Sequence, residues 1–279
     1  MAVVLALCAA ASWGLADFLA GLASRRLSVP LVLLLVEGSG LVVVLVVTLI
    51  SGEPFFDNSA DALSAIGGGL SGVLGLGCFY RALAIGTMSV VAPISAAGVA
   101  LPVVVGVATG DRPSIIAALG LVAIVAGVVL ASREQHETDE AAAAGRTSVA
   151  LALLSAVGFG GFFALTDAPA DHSVLWTLVL ARSAPIPFVA AIALWQRPAL
   201  PSPRFALGLC AVGTIDLLAT GLIAVANTKG DLSVVSVLGG MYPVATVLLA
   251  AAVLHERLRP PQLAGVVLAL GGVAAVAAG

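Results

Sequence analysis

The sequence predicts an all-α integral membrane protein of ten transmembrane helices arranged as two inverted five-helix repeats. Three observations predict it: an apolar composition, ten apolar runs of spanning length, and a second half that repeats the first. Of the 279 residues, 61% are hydrophobic and 10% charged, with a mean hydropathy of +1.16. Soluble domains carry about a quarter of their residues as charges, so this chain cannot hide its apolar surface from water by folding alone. Its solvent must largely be lipid. The net charge of −3 is small, and the Lys and Arg residues are scattered singly or in pairs. No basic stripe exists to neutralise a nucleic-acid backbone, so nucleic acid is not expected as a partner. Cys8, Cys78 and Cys210 stand alone in apolar runs, without the spacing of a metal site or a disulfide framework, and read as packed thiols.

A spanning helix needs roughly 20 mostly apolar residues. Ten runs satisfy this: Ala2–Ala23, Val29–Ser51, Ala62–Ile85, Ser89–Thr109, Ser114–Ser132, Thr147–Leu165, Ser173–Trp195, Phe205–Ala226, Leu232–Leu254 and Pro261–Ala278. Asp167, Pro169, Asp171 and His172 crowd the break between the sixth and seventh. The first run lacks a basic leading region, is longer than a signal-peptide core and leads into further spans, so it is read as the first transmembrane helix. The longest polar stretch, Arg133–Arg146, carries Glu134, Glu137, Asp139 and Glu140. It is expected to be a linker (133–146) between a first repeat, 1–132, and a second, 147–279.

The two halves match at an offset of about 145 residues. Gly86 and Ser89-Val-Val align with Gly230 and Ser233-Val-Val; Asp111-Arg112, Gly120 and Gly127 align with Glu256-Arg257, Gly265 and Gly272; Trp13-Gly14 falls against Phe159-Gly160. Five spans is an odd number, so the second copy must start from the opposite side of the membrane. Inverted repeats of this kind build a midplane site that faces either side as one half rocks against the other.

These residues also suggest a family. The second half reads Gly230, Ser233-Val-Val, Tyr242-Pro243, His255-Glu256-Arg257-Leu258, Gln262 and Gly265. This pattern resembles the EamA-type repeat of the drug/metabolite transporter superfamily, and Trp13-Gly14 is similar to its opening motif. The first half departs from it: the acidic-Arg pair is Asp111-Arg112, and Pro102 lies off register with Pro243. The resemblance implies a ten-helix efflux carrier or exchanger of metabolites, amino acids or drugs, working by alternating access around a central cavity. It also implies a multi-pass protein of the cell inner membrane, with both termini inside.

Ionisable groups within spans cost a few kcal/mol on insertion scales and usually mark a pathway or pair with one another. Asp17 and Glu37 flank the first loop at a depth of about 10 Å, and Arg81 approaches the same side. Two carboxylates beside a cation can share or relay a proton, so Asp17, Glu37 and, from the second half, Asp216 are the candidate proton-coupling residues; an interfacial carboxylate pair is the alternative. Arg182 and Asp216 lie at equal depth on sequential spans. That permits either a structural ion pair or an Arg182 that binds an anionic substrate group. Glu37 and Arg182 are repeat mates, and inversion allows them to touch only near the middle. Trp13, Tyr80 and Tyr242 join Arg182 as candidate substrate-binding residues, because a ring with a polar handle suits a mixed ligand. Trp176 and Trp195 read as interface anchors.

Pro93, Pro102, Pro185, Pro187 and Pro243 interrupt spans, as is tolerated where backbone lines a cavity or is buried in protein. Gly68 with Gly72 and Ser71 with Gly75 in the third span have the small-xxx-small spacing of close helix packing. Gly120, Gly127, Gly265 and Gly272 offer similar packing, either within the chain or in a homodimer. The expected partners are thus the lipid bilayer, a small-molecule substrate and protons, with no cofactor or metal.

Enzymatic function is not expected: His136, His172 and His255 fall in separate loops rather than clustering, and no nucleotide-binding glycine loop is present. A non-transporting scaffold is the remaining alternative. Orientation has two readings. Odd-numbered loops hold Arg25, Arg26, Arg81, Arg133, Arg146, Arg197, Arg204, Arg257 and Arg259, against Arg112 and Lys229 in even loops. The positive-inside rule therefore puts both termini outside, whereas the resemblance puts them inside; the inside reading is preferred here, on the ground that arginines near the cavity can serve the substrate rather than set the topology.

Overall fold

In lipid, backbone N–H and C=O groups must be satisfied internally, which leaves helices as the natural state of isolated apolar runs. The computed structural model describes residues 1–101, 103–104, 114–131, 139–230 and 232–278. The first half comprises α1 (Ala2–Ser24), α2 (Val29–Ser51), α3 (Ser59–Ile85), α4 (Met88–Ala96) with a 3-10 turn at Ala97–Val99, and α5 (Ile115–Ala131). The second comprises α6 (Asp139–His172), α7 (Val174–Ser183), α8 (Ile186–Gln196), α9 (Pro203–Asn227), α10 (Leu232–Gly239), α11 (Tyr242–Val253) and α12 (Pro260–Ala278). Among the described residues, 7 apolar segments are long enough to cross a membrane, and three shorter apolar helices accompany them. Together they occupy the ten expected spans. Pro102, Asp111-Arg112 and the linker residues Arg133, Glu134, His136 and Glu137 lie outside the described residues.

Local chemistry sets the helix ends. Asn58, Ser173 and Ser202 each accept a hydrogen bond from a first-turn N–H, satisfying donors that have no partner within the helix. Gly52 ends α2 in the left-handed conformation, at φ 66°, which a residue without Cβ adopts at little cost.

The sixth span differs from expectation at both ends. Residues 139–146, expected as linker, form the first two turns of α6, consistent with the helix preference of their alanine run. At the other end α6 continues through Pro169 to His172. Proline removes the bond to the carbonyl four residues back, and the Ser64 hydroxyl of α3 donates to that carbonyl, on Leu165, at 2.7 Å.

The seventh span is split at Ala184-Pro185 and the ninth at Gly240-Met241. The 3-10 turn that follows α4 occupies the position in the first half that the α10–α11 break occupies in the second.

Packing respects the repeat. Helix α3 lies along α6 as α1 lies along α9, α5 pairs with α12, and α2 packs on α7 and α8. Exchanging the two halves turns each contact into another. A Cβ on Gly14 would collide with Tyr242 O and Ala245, while one on Gly160 would collide with Gly98 O and Leu101. At the α5–α12 crossing, Gly120 meets Gly272 and Gly127 meets Gly265, backbone against backbone. These four glycines are occupied within the chain, so they do not supply a homodimer face. The glycine face of α3 packs on α6, with Gly72 against Phe162 and Gly75 against Gly158. Cys8 is exposed, and Cys78 and Cys210 are only half-buried, so the thiols are less enclosed than the sequence suggests.

Candidate functional site: a carboxylate-rich cavity between the halves

A cavity of about 360 Å³ lies between the halves, its wall formed by α1, α2, α3, α6, α7, α9 and α11. That volume is at the lower end of the range for small-molecule sites. Arg182, the last-turn cation of α7, is buried at 8% exposure. Its Nη1 donates to Glu37 Oε2 of α2 at 3.1 Å and its Nη2 to Asp216 Oδ2 of α9 at 2.5 Å. The guanidinium fork suits this arrangement, because it is planar, always charged and able to reach two carboxylates at once.

The fit depends on two glycines. A side chain on Gly40 would strike the Arg182 guanidinium, and one on Gly213 would strike Val36 O and Ser39. Both keep α2 and α9 close enough for one arginine to bridge them. The Ala181 carbonyl, left without a helical donor by Pro185, faces Gly69 of α3.

Asp17, one turn along α1 from Trp13, also lines the cavity. No cation or hydrogen-bond donor contacts its carboxylate among the described residues. Trp13 meets Tyr242 edge-on, with ring centroids 6.3 Å apart and planes at 74°, so the α11 N-terminus brings its ring against α1. Phe159, Phe162 and Phe163 of α6 cover the opposite wall. Three threonines complete the polar inventory. Each donates its hydroxyl to its own helix: Thr166 to Phe162 O, Thr177 to Ser173 O and Thr220 to Asp216 O.

Six of the seven candidate site residues named from the sequence therefore line one cavity: Trp13, Asp17, Glu37, Arg182, Asp216 and Tyr242. Tyr80 does not. It is 3% exposed and lies behind the wall, against Phe79. Arg81 is exposed on the outside of α3, so the cation expected beside Asp17 and Glu37 is instead Arg182, bonded to Glu37. Trp176 is not a free interface anchor: its Nε1 donates to Glu53 O at 2.9 Å and its ring packs edge-on against Phe55 at 5.0 Å, tying the α2–α3 loop to α7. Trp195 is 82% exposed.

At the opposite end from the α6–α7 connection, the helices are held shut by a contact that sequence reasoning missed. Glu256, just beyond α11, accepts from Met88 N at 3.1 Å, Ser89 N at 2.9 Å and Ser89 Oγ at 2.8 Å. It thereby caps the N-terminus of α4 from the other half of the chain, where the helix dipole favours a carboxylate. His255, at φ 56°, turns the chain so that Glu256 points back. Arg25 approaches Glu256 at 3.7 Å and donates to Leu83 O at 3.4 Å through Nε. Both members of this contact belong to the repeated motifs, Ser89-Val-Val and Glu256-Arg257, which is the signal that they meet. The corresponding pair would be Asp111 with Ser233, and Asp111 lies outside the described residues.

The family model for the EamA-like transporter family matches this chain twice, over residues 1–133 and 146–278. No individual curated protein matches the sequence.

Proposed function

Because the chain belongs to the EamA-like transporter family, whose members are multi-pass membrane transporters rather than enzymes, we propose that it is a secondary transporter of the cell inner membrane. In this reading it exports or exchanges a small solute by alternating access, coupled to protons, with its two halves as inverted repeats. The observation that carries it is the Glu37–Arg182–Asp216 bridge, which sits at a cavity and joins the first repeat to the second. A buried charge network at the junction of two rocking bodies couples the protonation of its carboxylates to their relative position. Protonating a carboxylate weakens its hold on Arg182 and alters what the halves gain by staying in place. Asp17, Glu37 and Asp216 are the proposed proton-carrying groups, Trp13 and Tyr242 the proposed substrate contacts, and Arg182 the hub that holds the carboxylates. Tyr80 supports the site from behind.

The test is uptake into proteoliposomes under an imposed pH gradient, scanning small metabolites, with Glu37→Gln in parallel. The wild type is expected to move a solute against its gradient only while protons flow, and the variant to lose that coupling. A Glu37→Gln protein with normal rate and unchanged pH dependence would remove Glu37 from the proton path.

The cavity also bears on orientation. Among the described residues Arg182 is the only Lys or Arg in its wall, and Arg25, Arg26, Arg81, Arg146, Arg197, Arg204, Arg257 and Arg259 are all exposed away from it. A role for these loop arginines in substrate binding finds no support in that placement. The positive-inside reading, with odd-numbered loops in the cytoplasm and both termini outside, is therefore the orientation we favour. A C-terminal alkaline phosphatase fusion is then expected to be active and a fluorescent-protein fusion dark; the reverse pattern places the termini inside.

A further inference from the structure

We propose that the solute is an organic monocation with an apolar or aromatic body, such as a protonated amine, and that its charge is received by Asp17. The proposal rests on the transporter reading above and specifies the substrate class of the same cavity.

The argument is a count of what the wall can offer. Among the described residues three carboxylates face the cavity, Asp17, Glu37 and Asp216, against one cation, Arg182. That cation already bonds two of them, which leaves Asp17 as the carboxylate without a counter-ion among the described residues. An anionic solute would find no unengaged cation, and it would meet a net excess of negative charge in a region of low dielectric, where like charges repel strongly. The carboxylate of a zwitterion would meet the same excess.

Hydrogen-bonding capacity points the same way. Thr166, Thr177 and Thr220 have turned their hydroxyl protons to backbone carbonyls, so only oxygen lone pairs remain to face a ligand. Against the donors of Trp13 Nε1–H and Tyr242 O–H stand the three carboxylates and these lone pairs, so acceptors outnumber free donors in the wall, as an ammonium group with several N–H donors requires. Trp13 stands one helical turn before Asp17 and pairs edge-on with Tyr242. Aromatic faces beside a carboxylate attract a cation electrostatically, while Phe159, Phe162 and Phe163 receive an apolar body.

The experiment compares three solutes of nearly the same shape and different charge: phenethylamine, phenylacetate and phenylalanine. Binding to the purified full-length protein is read by thermal shift, and transport by radiolabelled uptake into proteoliposomes. The expected result is that phenethylamine binds and moves at least about tenfold better than either of the others. Asp17→Asn is expected to abolish that preference, and Asp17→Glu, which keeps the charge, to retain it. A stable Asp17→Asn protein that still prefers the amine would overturn the assignment to Asp17. Better uptake of phenylacetate or phenylalanine would overturn the substrate class and leave the carrier reading intact. Uptake of none of the three, in vesicles whose protein is folded by thermal shift, would count against both.

Discussion

Replacing Arg182 with leucine is expected to cost on the order of 3–5 kcal/mol of stability, the usual penalty for leaving a buried ion pair half-made, and to abolish transport. The size of the loss follows from what remains. Glu37 and Asp216 would face each other across the space vacated by the guanidinium, each without a partner and close enough to repel. Thermal unfolding of the detergent-solubilised protein, followed by its intrinsic tryptophan fluorescence, measures the first effect, and vesicle uptake the second. The three-way geometry sharpens the usual charge-swap test. Exchanging the charges of Arg182 and Asp216 places an aspartate at 182 directly against Glu37, so the swap alone should rescue little. Adding Glu37→Gln should recover most of the folded yield while transport stays lost. Full rescue by the two-residue swap would show that the bond to Glu37 contributes nothing.

Glu256→Gln is expected to loosen the closed end of the bundle without unfolding it. The carboxylate holds two backbone donors and one hydroxyl at the start of α4, and hydrogen bonds to a charged group contribute about 1.5–3 kcal/mol each. The amide keeps one acceptor oxygen and loses the charge that faces both the helix dipole and Arg25. A change of about 1.4 kcal/mol alters a two-state equilibrium tenfold, so the variant should populate the conformation open at that end at least tenfold more. A cysteine at Leu83, in a background with Cys8, Cys78 and Cys210 replaced, reports this in the purified, detergent-solubilised protein as faster reaction with a water-soluble maleimide. Unchanged labelling would mean that the contact stays shut during transport and serves stability alone.

Periodicity and length were sufficient to read the spans, because each apolar run must satisfy its own backbone in lipid and so becomes a helix. The equal depth of Arg182 and Asp216 was likewise legible from the helical rise. What depth along a helix does not give is direction around it. Arg81 lies at a depth compatible with Asp17 and Glu37, yet points outward from α3, and the cation that joins Glu37 comes from the other half. Tyr80 likewise stands behind the cavity wall rather than in it, within electrostatic reach of Asp17, Glu37, Arg182 and Asp216. The α6 boundaries escaped sequence reasoning because Pro169 reads as a helix stop, and the hydroxyl that satisfies the freed carbonyl sits on Ser64, about a hundred residues away in sequence. Glu256 was visible as a motif but not as a cap, since its partners lie in the other half and no local pattern names them.

The α5–α12 crossing has a bearing on how the protein is made. The surface that receives Gly120 and Gly127 belongs to α12, made more than a hundred residues after α5. At a synthesis rate of about 5–20 residues per second, α5 waits on the order of 10 s in the membrane for its partner. During that interval its glycine face is open to lipid or to other newly inserted helices, and the first repeat cannot reach its final packing. This seam therefore closes only once α12 has been made, and a premature stop before α12 would leave a product with most of its spans inserted and none of this seam closed.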